Sequence, residues 1–109
     1  MSFNVIAVPK FKKELKKLAK KYPSLKQEFT SLIESLSEEP AQGTPLGNNC
    51  YKIRLSIASK GKGKSGGGRL ITYVVLSQTT VYLLSIYDKS NKATITDKEL
   101  AELLKEIPE

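Results

Sequence analysis

Lys52, Arg54 and Arg69 are the residues of this chain best suited to act together on a phosphate. They lie in residues 50 to 69, a stretch without a single acid that also carries Lys60, Lys62 and Lys64. In "YKIRLSIA", Tyr51, Ile53, Leu55 and Ile57 alternate with Lys52, Arg54, Ser56 and Ala58. A period of two belongs to a strand with one buried face, so Lys52 and Arg54 point the same way. Arg69 opens the next β-rich run, "RLITYVVL", and is expected close to them. Three cations converging on one sheet face are costly unless an anion or solvent is there, which favours a phosphate site over a merely solvated patch. The chain has no histidine. Any phosphodiester chemistry here must therefore divide its proton steps among lysine, arginine and tyrosine, and a lysine crowded by like charge is favoured in the neutral form that accepts a proton. Cys50, the single cysteine, has no histidine partner for nucleophilic catalysis and reads as a small buried residue.

Between these strands lies "ASKGKGKSGGG", and its first eight residues satisfy the permissive form of the nucleotide-binding phosphate loop. Such a loop needs a helix directly after it, whose N-terminal N–H groups face the phosphates. The chain continues instead as "GGGRLITYVVL", three glycines and a strand, so no nucleotide cofactor is expected. A loop joining antiparallel strands fits better, with glycines for mobility and Lys60, Lys62 and Lys64 as charges that wrap a nucleic-acid backbone without reading bases. A solubilising loop with no ligand is the bland alternative.

The elements that must position these residues come in two halves. "FNVIAV" at 3 to 8 reads as a short strand closed by Pro9. Phe11, Leu15, Leu18 and Tyr22 then recur at helical spacing on a lysine-rich segment, and after Pro23 a second stripe of Leu25, Phe29, Leu32, Ile33 and Leu36 continues. "EEPAQGTPLGNN" is a turn-rich exit from the helices. Strands at 51 to 58, 69 to 76 and 81 to 87 come next, the last two joined by "SQTT" as an antiparallel hairpin. Thr96 and Glu99 have capping-box spacing at the head of a last helix. The 109 residues predict one α+β domain over 1–109, ordered β-α-α-β-β-β-α, with an antiparallel sheet packed against the N-terminal helices.

The net charge of +7 is unevenly placed: residues 1 to 27 carry +7, 28 to 49 carry −4, 50 to 69 carry +6 and 70 to 109 carry −2. Two basic blocks suit a polyanion, since neutralising phosphates releases condensed counterions. For the first block alone, simple solubility is the preferred reading. The composition excludes a zinc site of the cysteine and histidine kind, and no cofactor or metal is expected. No apolar run approaches the roughly 20 residues of a membrane span, and the apolar N-terminal stretch precedes its lysines rather than coming after them, unlike a signal peptide. A cytoplasmic protein with no membrane partner is the expectation.

At "CYKIRL", "GGGRLITYVV" and "VYLLSIYDKSNK" the chain closely resembles the RelE/ParE superfamily of bacterial toxins, and within it the RelE/HigB-like ribosome-dependent mRNA endonucleases; the extended "SKGKGK" loop resembles a HigB-type subgroup. The resemblance implies a type II toxin held by a cognate antitoxin, cutting translated mRNA in the ribosomal A site without a metal. It also implies roles: Lys52 as base or phosphate ligand, Arg54 and Arg69 as transition-state clamps, and Lys89 as a further phosphate contact or leaving-group helper. Lys60, Lys62, Lys64, Lys92, Tyr73 and Tyr87 are then RNA or ribosome contacts, the tyrosines as stacking platforms or phenolic proton donors, although core or edge packing is the commoner role of strand tyrosines. Several RelE toxins have a tyrosine after the last strand, whereas "NKATIT" stands here, so the proton-transfer assignment stays open. So do two rival functions, a ParE-like gyrase inhibitor on the same fold and a non-catalytic RNA- or ribosome-binding module.

Overall fold

A computed structural model describes residues 2–60, 67–90, 92 and 94–107. Its elements are β1 (Asn4–Ala7), α1 (Pro9–Lys21), α2 (Leu25–Glu38), β2 (Thr44–Gly47), β3 (Cys50–Leu55), β4 (Gly68–Val75), β5 (Thr80–Asp88) and α3 (Asp97–Leu104). The five strands form one sheet in the order β1-β5-β4-β3-β2. The α+β class and the helices packed on the sheet are as expected. The sheet, however, is mixed rather than antiparallel: β1 runs parallel to β5, with Asn4 to Ala7 registered on Thr80 to Leu83. A parallel pair needs a long crossover, and here α1 and α2 are its first part. A second departure is β2, which lies inside the expected exit turn and pairs antiparallel with β3. Its Pro45 and Gly47 disguise it, because a proline is tolerated only where a strand lies at an edge, as this one does.

β5 lies between β1 and β4 and is buried along all nine of its residues. Phe11, Leu25 and Leu36 of the helices close over Ile53, Leu55, Ile57 and Leu70 to make the core. Pro9 starts α1 at a position where a missing N–H is harmless, and Pro23 separates the two helices. Beyond Ala7 the outer edge of β5 is no longer covered by β1. There Glu14 of α1 takes over, accepting from the Ile86 N–H at 3.3 Å and the Ser85 hydroxyl at 2.9 Å. The carboxylate thus satisfies an edge donor that would otherwise be buried without a partner.

Two short turns matter for what the sheet presents. Asn48 and Asn49 both have positive φ, 54° and 62°, and join β2 to β3 in the two-residue geometry that matches strand twist. Gly43 has φ 94°, and a Cβ there would stand 2.3 Å from the Lys52 carbonyl oxygen, so only glycine lets the chain pass this close to β3.

Candidate phosphate-binding face of the sheet

The register between strands decides which of the cations meet. Arg54 of β3 is paired with Arg69 of β4, and Arg69 in turn with Tyr87 of β5. Residues paired across a ladder share a face, with Cβ atoms about 4.5–5.5 Å apart. Arg54, Arg69 and Tyr87 therefore form one row across three strands. The next row is Lys52, Ile71 and Ser85, which places Lys52 diagonal to Arg69, roughly 7–8 Å away and somewhat less by Cβ. Lys89 extends the first row's neighbourhood, because its N–H donates to the Gly67 carbonyl at 3.1 Å and carries the ladder one rung further. Lys52, Arg54, Arg69 and Lys89 thus share one end of one face, as the alternation in β3 predicted for the first two.

Their settings differ. Arg54 is exposed and Lys52 half-buried, whereas Arg69 is 3% exposed and donates from Nη1 to the Gly68 carbonyl at 3.0 Å. Lys52 and Arg54 also border a shallow groove of about 400 Å³ with Gln42, Gly43 and Thr44, so the close passage of Gly43 shapes the open side of the cation cluster. At the other side, Lys92 lies over the Tyr87 ring, 5.6 Å from its centroid, and forms an ion pair with Glu99. That pair, first, and the Thr96 hydrogen bonds, second, hold the Glu99 carboxyl well below the ordinary carboxylate range. The sequence marked Glu99 as a helix cap, which it is; its second partner, Lys92, was not legible from a spacing of seven residues across a turn.

The two tyrosines part company. Tyr73 is half-buried, four residues along β4 from Arg69, about 13 Å at strand rise. It pairs with Tyr82 at 6.3 Å between ring centroids and belongs to sheet packing rather than to the cation cluster. Tyr87 is 9% exposed and next to Arg69, and its hydroxyl is buried with no hydrogen-bond partner among the described residues. Burial pushes its phenol up, Arg69 opposes this, and Glu99 reinforces it. Cys50 is 1% exposed with its thiol pushed up to about 11 by burial, as expected of an inert packing residue.

Lys62 and Lys64 lie outside the described residues. The approach to their loop is firmly docked: Ala58 N–H donates to Glu28 at 2.7 Å, Ser59 N–H to the Ser24 hydroxyl at 3.0 Å, and Ser24 N–H back to Ser59 at 2.9 Å. The short turn Ala58–Lys60 is thereby tied to the start of α2. Among the described residues, what comes next after this stretch is β4 from Gly68, not the helix whose N-terminus a nucleotide loop needs. Among the described residues no group of histidine, cysteine, aspartate and glutamate is placed to hold a metal, and no helix is long and apolar enough to cross a membrane.

The family model described as "RelE toxin of RelE / RelB toxin-antitoxin system" matches residues 10–108. The chain belongs to the RelE toxin family. The fold agrees with solved RelE structures. An arginine double mutant of the Escherichia coli toxin RelE in the free state superposes with a TM-score of 0.67 at 22% identity, covering 99% of this chain and 100% of that one. The toxin–antitoxin complex RelBE2 from Mycobacterium tuberculosis gives 0.61 at 22%, covering 81% and 92%. The intact Escherichia coli RelBE complex gives 0.52 at 24%, covering 80% and 96%. In RelE terms this chain is a toxin of a toxin–antitoxin system with Lys52, Arg54 and Arg69 together on the sheet face away from the α1–α2 core.

Proposed function

We propose that this RelE-family toxin is a metal-independent endoribonuclease that cuts mRNA during translation, in the ribosomal A site. The observation that carries the reading is the direct pairing of Arg54 with Arg69. Like charges placed opposite one another on adjacent strands destabilise a sheet, and an anion bound between them turns that cost into affinity. A scissile phosphate is such an anion. Lys52, diagonal to Arg69, takes the proton from the 2′-OH as it attacks the adjacent phosphorus. Arg54 and Arg69 hold the non-bridging oxygens, where negative charge grows on the crowded phosphorus, and Lys89 supports the phosphate from the next rung. The departing 5′-oxygen takes a proton with Lys89 as leaving-group helper, and the products are a 2′,3′-cyclic phosphate and a free 5′-hydroxyl.

The partner that restrains it is a cognate antitoxin, supported by the complexes among the structural relatives and by the charge of this chain: an acidic or amphipathic segment suits its two basic blocks. The RNA partner is the translated mRNA with the ribosome around it, reached in the cytoplasm. The test is brief induction of the wild type and of a Lys52→Ala/Arg69→Ala double variant in bacteria, with new mRNA 5′ ends mapped and growth scored. Cuts inside translated frames that vanish in the variant are the expected result. Growth arrest with intact mRNA would move the target to gyrase, and no arrest with salt-sensitive ribosome binding would leave a binding module.

A further inference from the structure

Asp88 ends β5 and is 2% exposed, the one buried carboxylate among the described residues. A carboxylate taken out of water is costly unless hydrogen bonds replace the solvent. Its two oxygens hold two different parts of the fold. Oδ2 accepts from the Tyr22 hydroxyl at 2.7 Å, at the C-terminal end of α1, while Oδ1 accepts from both the backbone N–H and the hydroxyl of Ser90, at 3.0 and 2.7 Å. The Asp88 carbonyl accepts from the Lys92 N–H at 3.2 Å and closes the turn. Lys89 sits between these ties. Its own N–H donates to the Gly67 carbonyl at 3.1 Å, two residues before Arg69, so its backbone is fixed against the clamp arginine on one side and against α1 on the other. The Lys89 ammonium, by contrast, has no ion-pair partner among the described residues. Ser90 is exposed, and an ordinary turn there needs only one short polar acceptor. A buried acid linked to a helix 66 positions away is more than the turn requires.

We infer that Asp88 is a positioning residue for the cleavage: through Ser90 and Tyr22 it holds the turn that carries Lys89, and so sets where the Lys89 ammonium meets the RNA phosphate. The inference rests on the nuclease reading above. Asp88 does not touch the RNA itself. Successive residues of a strand point to opposite faces, so with Tyr87 in the row of Arg54 and Arg69, Asp88 projects to the helix side, where Tyr22 is. Its effect passes through the backbone. Lysine has a flexible four-carbon stem and a compact charge, so its reach depends on where its Cα is anchored, and a displacement of about 1 Å near reacting atoms costs roughly 100-fold in rate. Rigid anchoring of Lys89 is therefore worth the burial of an acid.

The experiment measures single-turnover cleavage on programmed ribosomes for Asp88→Ala, Asp88→Asn and Lys89→Ala, and for Asp88→Ala combined with Lys89→Ala. Asp88→Ala is expected to slow cleavage at saturating ribosome about 100-fold, with the ribosome concentration for half-maximal rate near that of the wild type. Asp88→Asn should recover most of the rate, because the amide oxygen still accepts from Ser90 and the amide NH2 can donate to the Tyr22 oxygen. With Lys89 already changed to alanine, removing Asp88 should slow cleavage by no more than about twofold further, since residues that act as one unit do not add. A general loosening of the fold would instead slow both backgrounds alike. A full further loss in the Lys89→Ala background, or no slowing by Asp88→Ala alone, overturns the inference and leaves the nuclease reading intact. If Asp88→Ala does not fold, Ser90→Ala, an exposed change that keeps the buried acid, carries the same cycle with an expected loss of about fivefold, the scale of one hydrogen bond. A wild type that cuts no mRNA removes the nuclease reading, and the inference with it.

Discussion

Arg54 and Arg69 face each other, yet substitution separates them. Arg54 is exposed, so Arg54→Ala is expected to shift stability by no more than about 0.5 kcal/mol. Its loss from the phosphate should nevertheless slow cleavage by roughly 10²–10³-fold, the usual effect of removing one donor from developing charge. Urea midpoints beside single-turnover cleavage rates on programmed ribosomes test both halves. Arg69 is buried, so its removal is expected to lower both stability and rate. Cys50 gives a contrasting expectation. Its folded pKa is raised, so the contribution of the neutral thiol is fully present below the ordinary thiol pKa and is lost as pH rises through about 11. At pH 8 the native protein should resist a thiol reagent that labels the urea-unfolded chain rapidly; equal labelling rates would place Cys50 at the surface. The strand period alone made Lys52 and Arg54 partners, because a side-chain period of two leaves no other arrangement. Their register with Arg69 was not legible, since the glycine-rich stretch between β3 and β4 does not fix which rung pairs with which.

Elements set how the cluster is bounded, and here local sequence rules reached some boundaries and missed others. The capping box of α3 was legible because Thr96 and Glu99 bond each other's backbone three residues apart, a purely local matter. β2 was missed because Pro45 and Gly47 argue against a strand unless it is known to be an edge, which is a fact about the whole sheet. Gly43 is bound by the same geometry: Gly43→Ala strains a left-handed backbone and drives a methyl into the Lys52 carbonyl, so a loss of about 1–3 kcal/mol is expected in urea unfolding. At α3, Glu99→Gln separates cap from strap. Glutamine can still serve the capping box, but it no longer holds Lys92 by charge. The variant should keep its helical circular dichroism and reach half-maximal cleavage at up to about fivefold less ribosome, the scale of one exposed ion pair. The sign with pH is set by the depressed Glu99 pKa: the pair is intact above the ordinary carboxylate range and is lost as pH falls through the lower folded value. An NMR titration of the Glu99 side chain should therefore show the pair lost on the acid side, below the ordinary carboxylate range.

On the scale of the whole molecule, charge and topology are set by residues far apart in sequence. β1 pairs with β5 across 76 positions, and no periodicity in "FNVIAV" names that partner or its parallel sense. The charge blocks, by contrast, were readable directly, and the fold keeps their described parts distinct: Lys52, Arg54 and Arg69 lie on one sheet face, and the lysines of α1 lie on that helix. On α1, Lys13, Lys16, Lys17 and Lys20 line a hollow without an acidic residue among them, while Lys10 is occupied by Glu14 at 2.8 Å. Solubility and ribosome docking both suit such a stripe, and salt tells them apart. Each phosphate neutralised contributes a slope of about −0.7 to −0.9 in a plot of log affinity against log salt. Changing the four lysines to glutamine should therefore flatten that plot by up to about 3.6 units if they grip ribosomal RNA. The cleavage rate at saturating ribosome should stay near that of the wild type, because none of the four lies on the phosphate face. An unchanged slope would assign the stripe to solubility alone and leave the β3–β4 face to supply all of the counterion release.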